Sequence, residues 1–235
     1  MMELIEVTKL YQQGRRVVQA VRGVDLRVEA GEFVSIMGPS GSGKSTLMHL
    51  IGALDTPTTG RALFDGQDLQ RMSDRQRSLL RRTRIGFVFQ FFNLLPTLTA
   101  AENVAMPLLL GGESRKSTQI KAAAALERVG LEHRADHFPE EMSGGEMQRV
   151  AVARALVTDP EAILCDEPTG NLDSVNAAGI LRLLRSLPEE GRRSVVMVTH
   201  APEAAAVGDR IVRIADGLIE SQERVTPLLR AAVAV

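Results

Sequence analysis

The stretch Gly38-Pro39-Ser40-Gly41-Ser42-Gly43-Lys44-Ser45-Thr46 fits the spacing G-x-x-x-x-G-K-[ST], which suits a chain of phosphates. Glycines let consecutive N–H groups turn into one concavity, and the free N–H groups and dipole of a following helix favour an anion. Lys44 adds a charge-assisted bond to the outer phosphates, the Ser45 hydroxyl a ligand for Mg²⁺, and Thr46 a brace. Asp166 and Glu167 end an apolar run, where adjacent charges are costly unless they are needed. Beside a phosphate loop the first acid belongs with Mg²⁺, and the second can polarise a water. His200, closing another apolar run, is placed to donate to a transferring γ-phosphate. Gln90, closing a third, is placed to reach Mg²⁺ or water. Ser143-Gly144-Gly145-Glu146 opens a further helical pattern with a good N-cap and space-clearing glycines, a second potential anion site. Tyr11, the only tyrosine, precedes the loop with a flat ring that either stacks on a nucleotide base or simply packs.

These residues need elements to hold them. Phe33–Met37 reads as a short buried strand, and Leu47, Leu50, Ile51 and Leu54 recur at i, i+3, i+4 and i+7 as one helix face, so the glycines lie at a strand-to-helix turn. From Leu4 to Met37 short β-rich pieces punctuated by Gly14, Gly23 and Gly31 suggest antiparallel strands. Arg61–Phe64 reads as a strand ending in the Asp65-Gly66 turn, Gln76–Arg84 as a basic polar connector, and Ile85–Phe89 as a buried strand. Beyond Phe91 the pattern turns helical. Thr99 and Glu102 have capping-box spacing, Gln119–Val129 is an Ala-rich helix stopped by Gly130 with Leu131 packing back, and Val150–Leu156 is a strong helix former. Ala162–Cys165 and Ser194–Thr199 are buried strands that deliver the acids and His200 at their carboxyl ends, where ligands of open α/β sheets bind. Ile211–Glu220 reads as a hairpin turning at Asp216-Gly217, and 227–235 carries no signal.

Composition bounds the rest. A chain of 235 residues supports one domain with a smaller attached lobe. A net charge of −1 and the lack of a long basic block argue against nucleic acid as a partner. A single cysteine, Cys165, excludes an internal disulfide and a multi-cysteine metal site and suits a reducing cytoplasm, with the thiol as a small buried hydrophobe. Residues 85–101 carry no charge, but they are too short and too interrupted by Gln90, Asn93 and Pro96 to span a membrane. The start lacks a signal-peptide pattern. His133 and His137, four apart with no third ligand, read as a solvated face, and His49 as a packing residue.

In its motif order nearly the whole chain resembles an ATP-binding cassette (ABC) ATPase. Gly38–Ser45 is similar to the Walker A loop, Gln90 to the Q-loop residue, Ser143–Glu146 to the signature, Ile163–Asp166 with Glu167 to the Walker B strand and catalytic acid, Asn171-Leu172-Asp173 to the D-loop, His200 to the switch histidine, and Tyr11 to the adenine-stacking aromatic. The resemblance implies an α/β fold with a P-loop NTPase core, mostly parallel sheet flanked by helices, an N-terminal antiparallel β subdomain and an inserted helical subdomain. About 1–90 and 158–235 would form the RecA-like core with the β subdomain, and about 91–157 the signature subdomain. It also implies ATP and Mg²⁺ as cofactors and ATP hydrolysis with Glu167, His200 and Gln90 as catalytic residues. Ser45, Gln90 and Asp166 would hold the metal, and Tyr11, residues 38–46, Ser143–Glu146 and Asp173 the nucleotide. In the ATP-bound state a head-to-tail homodimer would let each signature complete the other copy's site. Phe89–Thr99 and Gly170–Ser174 resemble the lipoprotein-releasing and macrolide-exporter subgroup, implying an integral membrane permease partner of FtsX/MacB-like type and a position on the inner face of the membrane. Phe91, Phe92, Leu94 and Leu95 then either line a groove for a permease helix or belong to the core of the helical lobe. Met142, Glu146 and Ala201 depart from the commonest pattern, which has leucine, glutamine and aspartate there. The alternative is an ABC ATPase of a non-transport complex, such as cell-division or cell-wall signalling; a kinase using the same loop would lack the signature.

Overall fold

A computed structural model describes residues 1–14, 16–191 and 193–226; the uninformative 227–235 stretch lies outside them. Two sheets carry the fold. The first is antiparallel, in the order β2-β1-β4-β5: β1 (Met2–Gln13), β2 (Arg16–Val28), β4 (Thr59–Phe64) and β5 (Gln67–Asp68). The second runs β10-β9-β3-β8-β7-β6, with β3 (Phe33–Met37), β6 (Ile85–Phe89), β7 (Ala162–Asp166), β8 (Ser194–Thr199), β9 (Arg210–Ala215) and β10 (Leu218–Arg224). All its pairings are parallel except the β9–β10 hairpin, which turns at Asp216 (φ 47°) and Gly217 (φ 78°). Its central strands are buried on both faces, as continuous Val/Ile/Leu runs require in a parallel sheet.

The β-rich amino-terminal stretch forms two long strands rather than short pieces. Gly23 does not break β2. It sits at φ 73° where the β1–β2 register slips between Val7 and Thr8, a bulge that bends the ribbon while pairing continues. At the neighbouring register shift, between Leu4 and Val7, Glu6 has φ 48° and its amide donates to Asp25 Oδ1 at 2.9 Å.

The basic connector expected at 76–84 is instead helix α2 (Asp74–Thr83), started by a Ser73–Gln76 capping box. Only Leu80 of this helix is buried, so its polar face hid the periodicity. Three helices follow: α3 (Ala100–Leu110), capped by the reciprocal Thr99–Glu102 bonds, α4 (Arg115–Arg128) and α5 (Gly144–Leu156). Helix α4 begins four residues earlier than its alanines indicate, because Ser114 caps it. Val104, Leu108, Leu126, Leu131 and Val150 make their common core. Helix α5 also lies against β6, so close that a Cβ on Gly86 would stand 2.4 Å from the Ala155 carbonyl oxygen. Helices α1 (Lys44–Ile51), α6 (Ser174–Gly191) and α7 (Pro202–Ala205) complete the α-helices among the described residues. No helix among the described residues is long and apolar enough to cross a membrane.

Candidate functional site

The phosphate loop leaves β3 and enters α1 at Gly43, which stands at φ 101° and caps the helix without any side-chain bond. The first turn of α1 therefore keeps its N–H groups for an outside acceptor. The loop is clamped from behind. A Cβ on Gly38 would stand 2.1 Å from the Ile214 carbonyl oxygen and one on Gly43 2.3 Å from that of Ala20, so the backbone path depends on these glycines. The Gly217 amide donates to the Ser42 carbonyl at 3.0 Å, tying the β9–β10 turn to the loop. Lys44 Nζ curls over its own loop and donates to the carbonyls of Gly38 (2.9 Å) and Pro39 (2.8 Å).

Around this loop lies a cleft of about 740 Å³ lined by Ala20, residues of the 39–46 stretch, Gln90, Asp166, Glu167 and His200. Three parallel strands, β6, β7 and β8, thus deliver Gln90, the acid pair and the histidine to one opening. Ser45 Oγ donates to Asp166 Oδ1 at 3.2 Å. Burial raises the Asp166 carboxyl above its ordinary range, with the neighbouring Glu167 adding to this and Ser45 and His49 opposing it. The same burial, aided by Asp166, raises the Cys165 thiol and keeps it inert. His200 Nδ1 lies 2.9 Å from Glu167 Oε1 and 2.8 Å from Oε2. Glu167 itself has φ 48°, a sparsely populated conformation for a residue with a side chain and one that gathers at functional sites. Its amide donates to the Val198 carbonyl at 2.9 Å. A half-buried carboxylate beside a hydroxyl and an amide is a hard-oxygen donor set of the kind that suits Mg²⁺, so these residues fit the metal. Among the described residues no group of three or more His, Cys, Asp or Glu forms a separate metal cluster, and His133 and His137 stay apart from the cleft.

The expected site residues do not all converge. Ser143–Glu146 opens α5 away from the cleft and is absent from its lining. Asp173 is also elsewhere: its carboxylate accepts from the Asn176 amide (2.9 Å) and from Asn176 Nδ2 (2.6 Å). Tyr11 is outside the lining too. Its hydroxyl donates to Asp55 Oδ2 at 2.9 Å, and Lys9 Nζ stands 5.0 Å from the ring centroid. Burial and the Asp55 bond raise the phenol's pKa. Of the four apolar residues assigned either to a groove or to the lobe core, Phe91 is 73% exposed, Leu95 is exposed, Leu94 packs on the helical core, and the Phe92 ring reaches toward Gly144. Neither alternative holds for all four. A groove of about 580 Å³ does lie between the sheet and α3, lined by Phe87, Phe89, Met106, Pro107, Leu110 and Arg154 among others.

Sequence reading missed three supports. Asn171 Nδ2 donates to the Gln90 carbonyl at 3.0 Å, and Gln90 Nε2 to Asn171 Oδ1 at 3.3 Å. Arg154 donates to the carbonyls of Phe92 (2.8 Å) and Asn93 (2.5 Å), two consecutive residues at positive φ. Gln148 is fully buried under the carboxyl ends of β6 and β7. A polar residue at an interior position of the α5 pattern was the available signal for Gln148.

This geometry has close counterparts. The family profile described as ABC transporter matches residues 21–170, from just after the clamp at Ala20 through both glycine turns to Gly170. The chain belongs to the ABC transporter family. It is an ATP-binding cassette of that family and an ATPase. It is 44% identical, over 97% of its length and 95% of the relative's, to the lipoprotein-releasing system ATP-binding protein LolD of Shewanella frigidimarina. It is also 48% identical to the macrolide export ATP-binding/permease protein MacB of Syntrophobacter fumaroxidans, where 94% of this chain matches 31% of a longer protein. The solved cassette MJ0796 of Methanocaldococcus jannaschii, a dimer in a post-hydrolysis state bound to ADP and Pi, superimposes with a TM-score of 0.89 at 45% identity, covering 96% of this chain and 99% of that one.

Proposed function

We propose that this cassette binds ATP with Mg²⁺ in the cleft around Gly38–Thr46 and closes head to tail on a second copy, so that hydrolysis drives a membrane permease. The observation that carries this reading is the separation of two glycine-rich helix starts: none of residues 143–146 lines the phosphate cleft. A second copy supplies the missing wall, with its Ser143, Gly144, Gly145, Glu146 and Asp173 facing the nucleotide. The dimer of MJ0796 supports the arrangement.

On this reading Lys44 leaves the Gly38 and Pro39 carbonyls for the outer phosphates, exchanging neutral acceptors for charged ones. Ser45, Asp166 and Gln90 hold the metal, which when bound neutralises charge developing on the transferred phosphoryl group. Glu167 takes a proton from the attacking water, and His200, released from its carboxylate contact, donates to the γ-phosphate. Tyr11 stacks on the base. Residues 91–157 act as the signature unit, against a core formed by 1–90 and 158–235. The permease helix docks in the groove of Phe87, Phe89, Met106, Pro107 and Leu110, which would place the cassette on the inner face of the membrane. The names of LolD and MacB support export or lipoprotein release as the task.

Light scattering tests the central point. Glu167→Gln protein with ATP is expected to run as a dimer, and the same protein with Ser143→Arg added is expected to stay single while still binding ATP. A double variant that dimerises as well as the parent would remove the shared site.

A further inference from the structure

Gln148 has no part in the reading above, yet it is the fully buried polar residue of α5. Its Nε2 donates to the Pro168 carbonyl at 2.6 Å and more weakly to the Phe89 carbonyl at 3.4 Å, while its Oε1 is buried with no partner among the described residues. Each acceptor adjoins a cleft residue. Phe89 precedes Gln90, and Pro168 follows Glu167. A buried amide is a costly occupant unless its bonds do something an apolar side chain could not. This one ties the helix that starts at Ser143 to the backbone on either side of the cleft.

The first turns of α5 also pack against the first turn of α6. Gly145 approaches Asn176 so closely that a Cβ would stand 2.1 Å from Asn176 Oδ1; Arg149 Nη1 lies 3.4 Å from the same oxygen, and Asn176 is held by Asp173. Helix α5 is therefore fastened to residues 168–176 at two points and to the end of β6 at a third. The Pro168 carbonyl that Gln148 holds is part of the Pro168–Thr169 peptide, one residue beyond Glu167, whose left-handed backbone (φ 48°) carries the carboxylate, so a displacement of the Ser143 turn along this helix would bear on the backbone next to Glu167.

We infer that Gln148 is a positioning residue that transmits engagement of the Ser143–Glu146 turn to Glu167 and Gln90. The inference rests on the assignment of Glu167 as base. It differs from a packing role because it requires the amide donor and not merely the volume. Gln148→Met keeps the volume and lacks the donor. Its expected signature is nucleotide affinity within twofold of wild type, a kcat at least tenfold lower per bound nucleotide, and a KM within threefold. Placed in the Glu167→Gln background, it should leave ATP-driven dimerisation intact. Gln148→His restores an N–H donor at comparable reach and is expected to recover more turnover than Gln148→Met, each rate being taken per bound nucleotide.

Unchanged kcat in the methionine variant, loss that merely tracks lost nucleotide binding, or equal turnover in the two variants would overturn the inference. The failures are separable. If Glu167→Gln alone turns over normally, the assignment of the base falls. If that variant is inactive while Gln148→Met is normal, only the role given to Gln148 falls.

Discussion

Two helices in this cassette begin at glycine-rich turns, and they treat their first N–H groups in opposite ways. At α1 the cap is Gly43 at φ 101°, with no side chain across the helix end. At α5 the cap is Ser143, closed by a reciprocal box: the Glu146 amide donates to Ser143 Oγ at 3.3 Å, while Glu146 Oε2 accepts from the Ser143 amide and hydroxyl, both at 2.8 Å. The first start is open and positively polarised. The second already holds a carboxylate where an anion would sit. Helix geometry alone therefore does not make a phosphate site; the occupancy of the cap decides it. On the proposed reading the open start binds nucleotide in a single copy, whereas the closed one would accept a phosphate beside its own acid, which would order the two events, nucleotide first and association second.

Removing the charge at the open start should give the largest effect. Lys44→Ala deletes a charge-assisted contact of about 1.5–3 kcal/mol, so nucleotide affinity should fall roughly 10- to 150-fold, measured by titration with a fluorescent ATP analogue. Unchanged affinity would mean that the loop N–H groups suffice. Gly145→Ala acts at the closed start. Its Cβ would meet Asn176 within 2.1 Å, and Asn176 cannot yield freely because Asp173 holds it. ATP-driven dimerisation of the Glu167→Gln protein should weaken at least tenfold with nucleotide affinity of the single copy unaltered. Equal losses at both steps would erase the distinction between the two starts. Ser143→Ala comes next. It removes the oxygen that accepts the Glu146 amide, for a stability loss of about 0.5–2 kcal/mol in urea unfolding.

The two regions also differed in how far their residues announced them. The phosphate loop, the acid pair and His200 were legible because each ends a continuous apolar run, and a parallel sheet collects such strand ends at one edge. The α5 start was legible from Ser143 as an N-cap; the reciprocal Glu146 bond that closes the box was not read, although its spacing matches that of Thr99 and Glu102. The groove proposed for the permease was not legible. Phe91, Phe92, Leu94 and Leu95 are close in sequence, but Phe92 and Asn93 at positive φ turn the chain between them and send the side chains to different surroundings. Helix α2 escaped because one buried leucine leaves no apolar stripe. The brace from Gln148 is a long-range contact that no spacing encodes.

The smallest change is the most discriminating. Glu146 bonds the Ser143 amide and hydroxyl and pairs with Arg134 at 3.0 Å, and these hold its carboxyl below the ordinary range against the opposing effect of burial. A depressed folded-state pKa contributes stability above the unfolded value, near pH 4.5, and that contribution disappears as pH falls through the folded value. Glu146→Gln keeps an oxygen for the capping box and gives up the ion pair, so it should cost about 0.2–1 kcal/mol near neutrality and nothing once wild-type Glu146 is protonated. Urea midpoints at pH 7 and pH 3 check the sign. Association should move the other way. Without the carboxylate, and with Arg134 released, the end of α5 is more positive, and ATP-driven dimerisation in the Glu167→Gln background should strengthen by about twofold, the scale of a modest helix-end charge effect. A variant less stable at pH 7 yet quicker to associate would identify Glu146 as a resident anion standing in for phosphate. If stability and association fell together, the box would be serving only to begin the helix.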